Sequence, residues 1–332
     1  MNKTILLKSR PKGRPETTDF EFKEIEKPTP KDGEVLLRSK YVSVDPYLRG
    51  RMRDEKSYVE PFKLDEPIAS AVVAEVVESK NEKFKKGDFL TGMMEWKEYQ
   101  VSDGKGLRKV DSEKAPLSAY LGILGMTGLT AYFGLTTIGE PKEGETLLVS
   151  GAAGAVGSVV GQIGKIKGCR VIGIAGSDEK IDLLKDKFDF DAAINYEKTD
   201  DMGKAIRDAA PDGVDVYFDN VGGYTLDAAM ENINRFGRVV HCGAISLYNE
   251  TEQPTGPRLE TKIVKKSLKL QGFIIRNFED RFAEGIQQLG SWLKDGKLKY
   301  EETIVEGFDE IPQAFIDLFD GKNKGKMVVK VY

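Results

Sequence analysis

The sequence predicts an α/β protein in which a β-rich part precedes a doubly wound parallel sheet. Residues 1–120 contain several short apolar or alternating segments separated by turn residues, which is typical of a compact barrel or sandwich. From residue 146 onward, short buried strands alternate with helical segments, which is typical of parallel strands covered by helices on both faces. The 332 residues are enough for two domains, each with its own core.

The strands of the first part are marked by apolar and β-branched residues. The segments with this character are 34–44, 69–77, 89–91 and 96–101. Turn residues interrupt them, as at Asp45-Pro46 and at Lys85-Lys86-Gly87-Asp88. Residues 118–134 are apolar and rich in small side chains, so we expect a helical segment that joins the two domains.

The regular alternation begins after Glu143-Gly144-Glu145. The predicted strands are 146–150, 170–175, 193–195, 214–219, 237–242 and 268–273, with helical patterns between most of them, including 178–187. A helix-like segment at 282–294 is followed by β-like residues at 299–305 and 326–332. We therefore expect the chain to return to the first domain, with a first part at 1–120, an inserted nucleotide domain at 121–295 and a return at 296–332.

Charge and hydropathy exclude several classes of function. The chain has 50 Lys+Arg and 54 Asp+Glu, so it lacks the excess of positive charge that is typical of proteins that bind nucleic acid. No stretch approaches the roughly 20 apolar residues of a membrane helix. The first residues, MNKTILLK, lack the pattern of a secretory signal, so we expect a cytoplasmic protein with neither a membrane nor a nucleic-acid partner.

The scarcity of metal ligands predicts that no metal is bound. The chain has one histidine, His241, and two cysteines, Cys169 and Cys242. A structural zinc site needs four Cys or His ligands, and a catalytic site usually needs three His, Cys or carboxylate ligands. Few cysteines also suit a reducing compartment without a disulfide framework. Because His241 follows a buried-looking Val239-Val240 pair, a histidine at a strand end is favoured over a catalytic one.

The clearest chemical signal is a glycine turn. Residues 147–158 read LLVSGAAGAVGS, a buried strand followed by glycines and the start of a helix. Against the pattern G-x-G-x-x-G, Ala152 takes the first glycine position, Gly154 lets a pyrophosphate approach the backbone, and Gly157 lets the helix pack near the strand. Amides at the start of the helix would face the phosphates. The pattern predicts a dinucleotide site.

The end of the second strand of this sheet distinguishes the two nicotinamide cofactors. NAD-dependent proteins usually carry Asp or Glu there, whereas this strand ends at Gly176-Ser177 and Lys180 follows. A lysine can pair with the 2′-phosphate of NADP. Asp178 and Glu179 would repel a phosphate if they pointed inward, and we expect them to face solvent at a helix start. The sequence therefore predicts NADPH.

Several motifs resemble one family of oxidoreductases. They are GAAGAVGS at 151–158, YFDNVGG at 217–223, CGAIS at 242–246, VDPYLRGRM at 44–52 and GMTGLTAY at 125–132. They are similar to the zinc-independent medium-chain dehydrogenases/reductases, in the branch of prostaglandin reductase (leukotriene B4 12-hydroxydehydrogenase), curcumin reductase and 2-alkenal double-bond reductases. The motifs lie in order over essentially the whole chain. This resemblance implies a GroES-like β-rich catalytic domain, a Rossmann domain, NADPH as cofactor and a homodimer.

The resemblance also implies a set of cofactor-binding residues. Gly154–Gly157 would hold the pyrophosphate, Lys180 and Tyr196 would flank the 2′-phosphate, and other residues would contact the rest of the cofactor. Asn323 rests on the resemblance alone, since its residue pattern is that of an ordinary loop. In full, the set is Gly154, Ala155, Val156, Gly157, Lys180, Tyr196, Asn220, Cys242, Gly243, Ala244, Ile245, Ser246, Phe273, Ile274, Ile275 and Asn323.

The implied reaction is the reduction of the carbon–carbon double bond of an α,β-unsaturated ketone or aldehyde. Hydride from NADPH adds to the β carbon, and the resulting enolate oxygen needs a donor. In this family a tyrosine at the position of Tyr248 positions the carbonyl, so we expect Tyr248 and the cofactor ribose to stabilise the enolate. Tyr47 is the second candidate and would line the substrate pocket. Each tyrosine could instead serve only to pack its ring.

Two other functions stay open at this point. An NADPH quinone oxidoreductase of the same superfamily would act on quinones, and a non-catalytic NADPH-binding protein would share the fold without turnover. Tyr248 and the complete cofactor set favour an enzyme, and Asp45-Pro46-Tyr47 together with residues 242–248 favours the double-bond reductase. The expected partners are a small enone or enal substrate and a second copy of the chain.

Overall fold

The chain divides into two units in the computed structural model, which describes residues 1–332. The first unit contains Met1–Gly122, Glu302–Asn323 and Met327–Tyr332, and the second contains Ile123–Glu301 and Lys324–Lys326. Among these residues, no helix combines the length and the apolar character that crossing a membrane requires. The α/β class and the two-part architecture expected from the sequence are confirmed.

Short strands dominate the first unit. Its N-terminal part forms β1 (Asn2–Leu7), β2 (Phe20–Ile25), β3 (Val35–Ser43), α1 (Leu48–Arg51), β4 (Ala69–Ser79), β5 (Phe89–Glu95), β6 (Tyr99–Ser102) and β7 (Arg108–Val110). β1 and β2 pair with each other in antiparallel fashion. The sequence analysis missed this pair because four of the six residues of β2 are exposed, so no buried face marks the strand.

The predicted strand at 96–101 is wrong over its first residues. β5 ends at Glu95 and β6 begins only at Tyr99. The chain bends between them because Trp96 is fully buried in the core of the first unit. Its indole N–H donates a hydrogen bond of 2.8 Å to the Ser70 hydroxyl, which holds the bend in place.

The second unit is a parallel sheet covered by helices. Its elements are α2 (Met126–Phe133), β8 (Thr146–Val149), α3 (Gly157–Ile166), β9 (Arg170–Ala175), α4 (Asp178–Asp182), β10 (Ala192–Asn195), α5 (Met202–Ala209), β11 (Val214–Asp219), α6 (Gly223–Asn232), β12 (Ile233–His241), α7 (Glu260–Lys266), β13 (Lys269–Gly272) and α8 (Phe282–Lys294). The six strands lie in the order β10-β9-β8-β11-β12-β13, and every pair is parallel. The strand order reverses between β8 and β11, and such a switch point is where sheets of this kind bind ligands.

The helical segments of the second unit are less regular than predicted. The predicted helix 178–187 consists of α4 followed by wider π turns at Leu183–Lys187. The expected helical segment 118–134 contains a 3-10 turn at Leu117–Leu121 and then α2, with π turns at Gly134–Gly139 after it.

The chain returns to the first unit through β14 (Glu302–Glu306), α9 (Ile311–Asp317) and β15 (Lys326–Lys330). β15 pairs with β3 in antiparallel fashion, and the larger sheet has the order β14-β15-β3-β4-β5-β7, with β6 also paired to β3. Phe315 of α9 is fully buried in the same core as Trp96 and Leu37. The return is therefore part of the core of the first unit.

Residues 296–301 stay with the second unit, so the return begins later than the predicted residue 296. The buried side-chain amide of Gln162 donates to the Lys299 carbonyl at 2.9 Å and accepts from the Lys299 N–H at 2.7 Å. The Lys187 ammonium lies 2.6 Å from the Glu301 carboxylate. These contacts hold the segment on α3 and on the π turns after α4 until β14 begins.

Replacing Gln162 by Leu should therefore destabilise the second unit. The variant keeps the volume of the side chain but leaves both backbone groups of Lys299 without their partner, at a cost of about 1 to 2 kcal/mol. Urea unfolding measures this cost, with Gln287→Leu on the exposed face of α8 as the matched control. Equal stability of the two variants would contradict the anchoring role of Gln162.

Candidate active site

The glycine turn connects β8 to α3 through a tight backbone. Gly151 has φ +57°, and the Gly154 N–H donates to its carbonyl at 3.0 Å. A Cβ at Gly157 would lie 2.4 Å from that same carbonyl oxygen, which leaves no room for a side chain. The Ala152 N–H donates to the Ile174 carbonyl at 3.0 Å and ties the turn to β9. The start of α3 is thereby brought against the end of β8, as the glycine pattern predicts.

The tail of the chain lies against the same turn. Gly154 forms a parallel bridge with Gly325, whose N–H donates to the Ala153 carbonyl at 2.8 Å. A Cβ at Gly325 would lie 1.8 Å from the Glu301 carbonyl oxygen, and the residue has φ +62°. Sequence reasoning missed this contact, although a glycine in the lysine-rich stretch 322–326 was a signal for it. Asn323, predicted to bind the cofactor, lies two residues before Gly325.

Lys180 and Tyr196 lie near the carboxyl ends of β9 and β10. The Tyr196 ring packs on Gly176, where a Cβ would lie 2.6 Å from the phenol oxygen. Lys180 is half-buried on α4, and burial lowers the pKa of its ammonium group, with nearby Lys324 acting in the same direction and Glu179 against it. The residues predicted to flank the 2′-phosphate therefore stand at neighbouring strand ends.

The acidic pair at the start of α4 is exposed, as expected, and it is neutralised by cations. Asp178 accepts from the Asn195 side chain at 2.8 Å and pairs with Lys198. Glu179 lies 2.5 Å from the Lys324 ammonium. The hydrogen bonds from these partners lower the pKa of both carboxyl groups. Neither carboxylate is left as an uncompensated charge near Lys180.

Asp219 forms a buried hydrogen-bond centre at the end of β11. One carboxylate oxygen accepts from the Tyr217 hydroxyl at 2.8 Å, the Ser150 hydroxyl at 3.1 Å, the Val221 N–H at 3.0 Å and the Gly222 N–H at 2.9 Å. The other lies 3.5 Å from His241 Nδ1. Burial opposes ionisation, but the donors outweigh it, so the pKa of Asp219 is lowered. Sequence reasoning did not single out Asp219, although a lone carboxylate between a buried strand and Gly222-Gly223 was a signal for it.

Asn220 joins the ends of β8 and β11 to the loop after β12. Its side-chain Nδ2 donates to the Ser150 carbonyl at 2.8 Å, and its N–H donates to the Ser150 hydroxyl at 3.0 Å. Its carbonyl accepts from the Ile245 N–H at 3.2 Å. The side chain therefore positions the switch point, and its contact with the cofactor stays a prediction.

A pocket of about 360 Å³ opens at the carboxyl ends of β11, β12 and β13. It is lined by Asp219, Gly222, Gly223, Leu226, His241, Cys242, Gly243, Ala244, Leu247, Tyr248, Gly272 and Phe273. The structure thus brings together five of the predicted residues, namely Cys242, Gly243, Ala244, Tyr248 and Phe273. Ile245, Ser246, Ile274 and Ile275 are outside this lining.

Ser246 and Ile274 support the pocket by hydrogen bonding within the protein. The Ser246 hydroxyl donates to the Val221 carbonyl at 2.6 Å, which fastens the loop after β12 to the one after β11. The Ile274 N–H donates to the Asn277 side chain at 3.0 Å, at the start of the 3-10 turn Ile275–Arg281. Both residues hold loops that form or flank the pocket.

The two candidate tyrosines lie in different units. The Tyr248 hydroxyl accepts a hydrogen bond of 3.2 Å from the Ala244 N–H, and a Cβ on Gly243 would lie 3.1 Å from its oxygen. The phenol therefore forms part of the pocket wall. Tyr47 lies just before α1, partly buried against the core of the first unit.

The sulfur and histidine chemistry of the site is limited. Burial raises the pKa of the Cys242 thiol to about 12 and that of Cys169 to about 11, so both are protonated at neutral pH. His241 ends β12 and, beyond what the sequence indicates, lines the pocket beside Asp219. No group of three or more His, Cys, Asp or Glu side chains in residues 1–332 is arranged to hold a metal ion.

A glycine turn beside the switch point of a doubly wound parallel sheet defines the class as dinucleotide-binding proteins. Two family models match, the N-terminal domain of oxidoreductase over residues 3–110 and zinc-binding dehydrogenase over residues 155–291. A putative NADP-dependent oxidoreductase of Bacillus subtilis is 59% identical over 98% of this chain and 97% of its own length. The NADPH-dependent curcumin reductase of Escherichia coli is 43% identical over 99% and 97%, and the NADP-dependent 2-alkenal reductase of Nicotiana tabacum is 42% identical over 99% and 97%.

The structural comparison agrees with these relatives. The crystal structure of CurA from Vibrio vulnificus in complex with NADPH has a TM-score of 0.95 and 44% identity, with 99% of each chain covered. The chain therefore belongs to the medium-chain dehydrogenase/reductase family, as the motifs predict.

Replacing Asp219 by Asn should destabilise the second unit in a pH-dependent way. The neutral amide is a weaker acceptor for the same donors, and we expect a loss of about 1 to 3 kcal/mol at neutral pH. Because folding lowers the pKa of Asp219, its ionisation stabilises the native state above the ordinary carboxyl pKa of about 3.9, and this contribution is lost as the pH falls through the lower, native value.

Urea unfolding between pH 7 and pH 3 measures this effect. The difference in the free energy of unfolding between wild type and Asp219→Asn should become smaller as the pH falls. Asp212→Asn, at an exposed carboxylate before β11, should change the free energy of unfolding little at any pH. A difference that stays constant over the whole range would show that the charge of Asp219 has no role in stability.

Proposed function

We propose that the protein is an NADPH-dependent reductase of the carbon–carbon double bond of α,β-unsaturated ketones and aldehydes. The observation that carries the proposal is the pocket at the ends of β11, β12 and β13, because Tyr248 and the predicted cofactor loop share one wall of it. The names of the curcumin and 2-alkenal reductases support the substrate class. Both names denote conjugated carbonyl compounds, the class to which hydride adds at the β carbon.

The residues of the second unit fit NADPH. Gly157 has no room for a side chain, so α3 begins close to the end of β8, and the amides at the start of this helix can then face a pyrophosphate. Lys180 and Tyr196 would flank the 2′-phosphate and its adenosine, a role supported by their positions after the neighbouring strands β9 and β10. The Thr127 hydroxyl, at the start of α2, is buried without a hydrogen-bond partner in the protein and offers a donor for an additional group. Ala155 and Val156 would complete the pyrophosphate contact, and Asn323 would extend the site from the tail.

Each group in the pocket has a role that follows from its chemistry. NADPH supplies the hydride when it is bound. Tyr248 donates its O–H to the carbonyl oxygen of the substrate, where negative charge develops as the β carbon is reduced. The Ala244 N–H, by donating to the Tyr248 oxygen, orients that O–H and makes it a stronger donor. A proton from solvent then adds to the α carbon, so that hydride and proton together saturate the double bond.

The remaining features of the proposal rest on the family resemblance. Cys242–Ser246 and Phe273–Ile275 would border the nicotinamide, and Tyr47 would contribute to the substrate pocket. We also propose that the protein acts in the cytoplasm as a homodimer. The protonated state of Cys242 suits an enzyme for thiol-reactive substrates, because a neutral thiol adds slowly to conjugated carbonyl compounds.

The reaction can be tested by following NADPH absorbance with a short 2-alkenal, an aryl enone and a quinone, with NADH in place of NADPH as the control. We expect turnover on the alkenal or the enone, with a saturated product, and much slower turnover with NADH. Turnover on the quinone alone would assign the protein to the quinone oxidoreductases. NADPH binding without turnover on any substrate would indicate a non-catalytic binding protein.

The role of Tyr248 can be separated from cofactor binding. Tyr248→Phe should lower kcat on an enone by about 100-fold, because one donor to the developing charge is lost. The dissociation constant for NADPH, measured by its fluorescence, should stay unchanged. Tyr224→Phe, at an exposed tyrosine of α6, is the matched control and should retain full activity. Full turnover by Tyr248→Phe would assign the enolate to another donor.

A further inference from the structure

The tail of the chain delivers a second lysine to the end of β9. Gly325 is bound to the glycine turn by its N–H to Ala153 and by its bridge to Gly154. The following Lys326 N–H donates to the Glu301 carbonyl at 3.0 Å. These backbone contacts fix the course of residues 324–326, so the position of Lys324 is set by the same turn that would hold the pyrophosphate.

Lys324 pairs with the carboxylate that precedes Lys180 in the chain. The Lys324 ammonium lies 2.5 Å from Glu179 Oε1, and Glu179 directly precedes Lys180 on α4. Lys324 is also close enough to Lys180 for its charge to lower the pKa of that lysine. The neighbouring Asp178 does not enter this cluster, because it is bound to Asn195 and Lys198. Lys180, Lys324 and Glu179 together carry a net charge of +1, and Glu301, whose charge also acts on Lys324, is paired with Lys187.

The Glu179–Lys324 pair is well placed to exchange partners. The Glu179 side chain is 73% exposed and that of Lys324 is 38% exposed. An ion pair this exposed contributes little to stability, so breaking it costs little. A phosphate monoester carries nearly two negative charges at neutral pH and binds ammonium groups through charge-assisted hydrogen bonds. Such a group beside Lys180 would compete effectively with Glu179 for Lys324.

We propose that Lys324 is a second cation for the 2′-phosphate of NADPH and that Glu179 holds it until the cofactor binds. The proposal rests on the cofactor assignment made above. NADH has no 2′-phosphate and leaves the Glu179–Lys324 pair intact. Lys324 thus adds to the discrimination between the two cofactors, and Glu179 opposes NADPH binding by competing for the lysine.

The test measures dissociation constants rather than turnover. NADPH and NADH are titrated by fluorescence, and adenosine 2′,5′-bisphosphate and adenosine 5′-monophosphate by calorimetry. Lys324→Gln should raise the dissociation constants of NADPH and the bisphosphate by about tenfold, which is the effect of losing one hydrogen bond to a charged group. The dissociation constants of NADH and the monophosphate should change by less than about twofold. Glu179→Gln should lower the dissociation constant of NADPH and leave that of NADH unchanged. Lys324→Arg, which keeps the positive charge, should bind NADPH nearly as tightly as the wild-type protein.

The controls separate the charge of Lys324 from its place in the backbone. Lys322→Gln removes a lysine two residues earlier in the chain, whose ammonium lies 2.7 Å from Asp317. This variant should leave the dissociation constants of both cofactors unchanged. Lys180→Gln should also weaken the binding of NADPH and leave that of NADH unchanged. The double variant with Lys324→Gln should bind NADPH more weakly than either single variant. Equal weakening of NADPH and NADH by Lys324→Gln would overturn the proposal, since it would indicate a displaced glycine turn. An unchanged affinity for NADPH would overturn it as well.

The bisphosphate measurement needs no substrate and distinguishes this inference from the proposed reaction. Selective weakening of the bisphosphate by Lys324→Gln supports the inference even if no enone is reduced. If the wild-type protein binds the bisphosphate no better than the monophosphate, the 2′-phosphate site and this inference fall together, whatever the protein reduces.

Discussion

The buried carboxylate of Asp219 is the interaction on which the candidate site depends. It stands at the end of β11, in register with His241 on β12, and its donors come from the end of β8, from β11 itself and from the loop that opens α6. A buried charge is tolerated only when its hydrogen bonds are satisfied. That requirement forces the ends of three neighbouring strands into one geometry and so fixes the floor of the pocket.

Around this centre, loops are held by the backbone more than by side chains. The Asp219 carbonyl accepts from both Cys242 and Gly243, and the Asn220 carbonyl accepts from Ile245. These hydrogen bonds hold the loop after β12 against the loop after β11. Tyr248 packs back on its own loop, where its hydroxyl accepts from the Ala244 N–H. A rigid wall of this kind can present a single hydroxyl to a small substrate with little loss of conformational entropy on binding.

Much of the architecture can be predicted from the sequence because it depends on local patterns of residues. The continuous apolar segments of the parallel strands, the glycines after β8 and the strand–helix alternation follow from the burial of both faces of a parallel sheet. Where the patterns are weaker, the sequence was a poorer guide: β2 was missed because it exposes most of its residues, and the strand predicted from residue 96 was wrong because Trp96 is buried in the core of the first unit. The segment 299–305 was predicted to be β-like from its first residue, but Lys299 is held by Gln162, a partner 137 residues away in the chain, and β14 begins only at Glu302.

The sequence by itself determined the fold class, the place of the glycine turn and the residue types that suit a 2′-phosphate, because each is written in a short stretch of chain. Only the tertiary structure decided which of these residues meet. The approach of Gly325 to Gly154, the pairing of Lys324 with Glu179 and the position of His241 beside Asp219 join residues far apart in the chain or on separate strands. Such contacts depend on the path of the backbone through the whole sheet, and no local pattern of residues encodes that path.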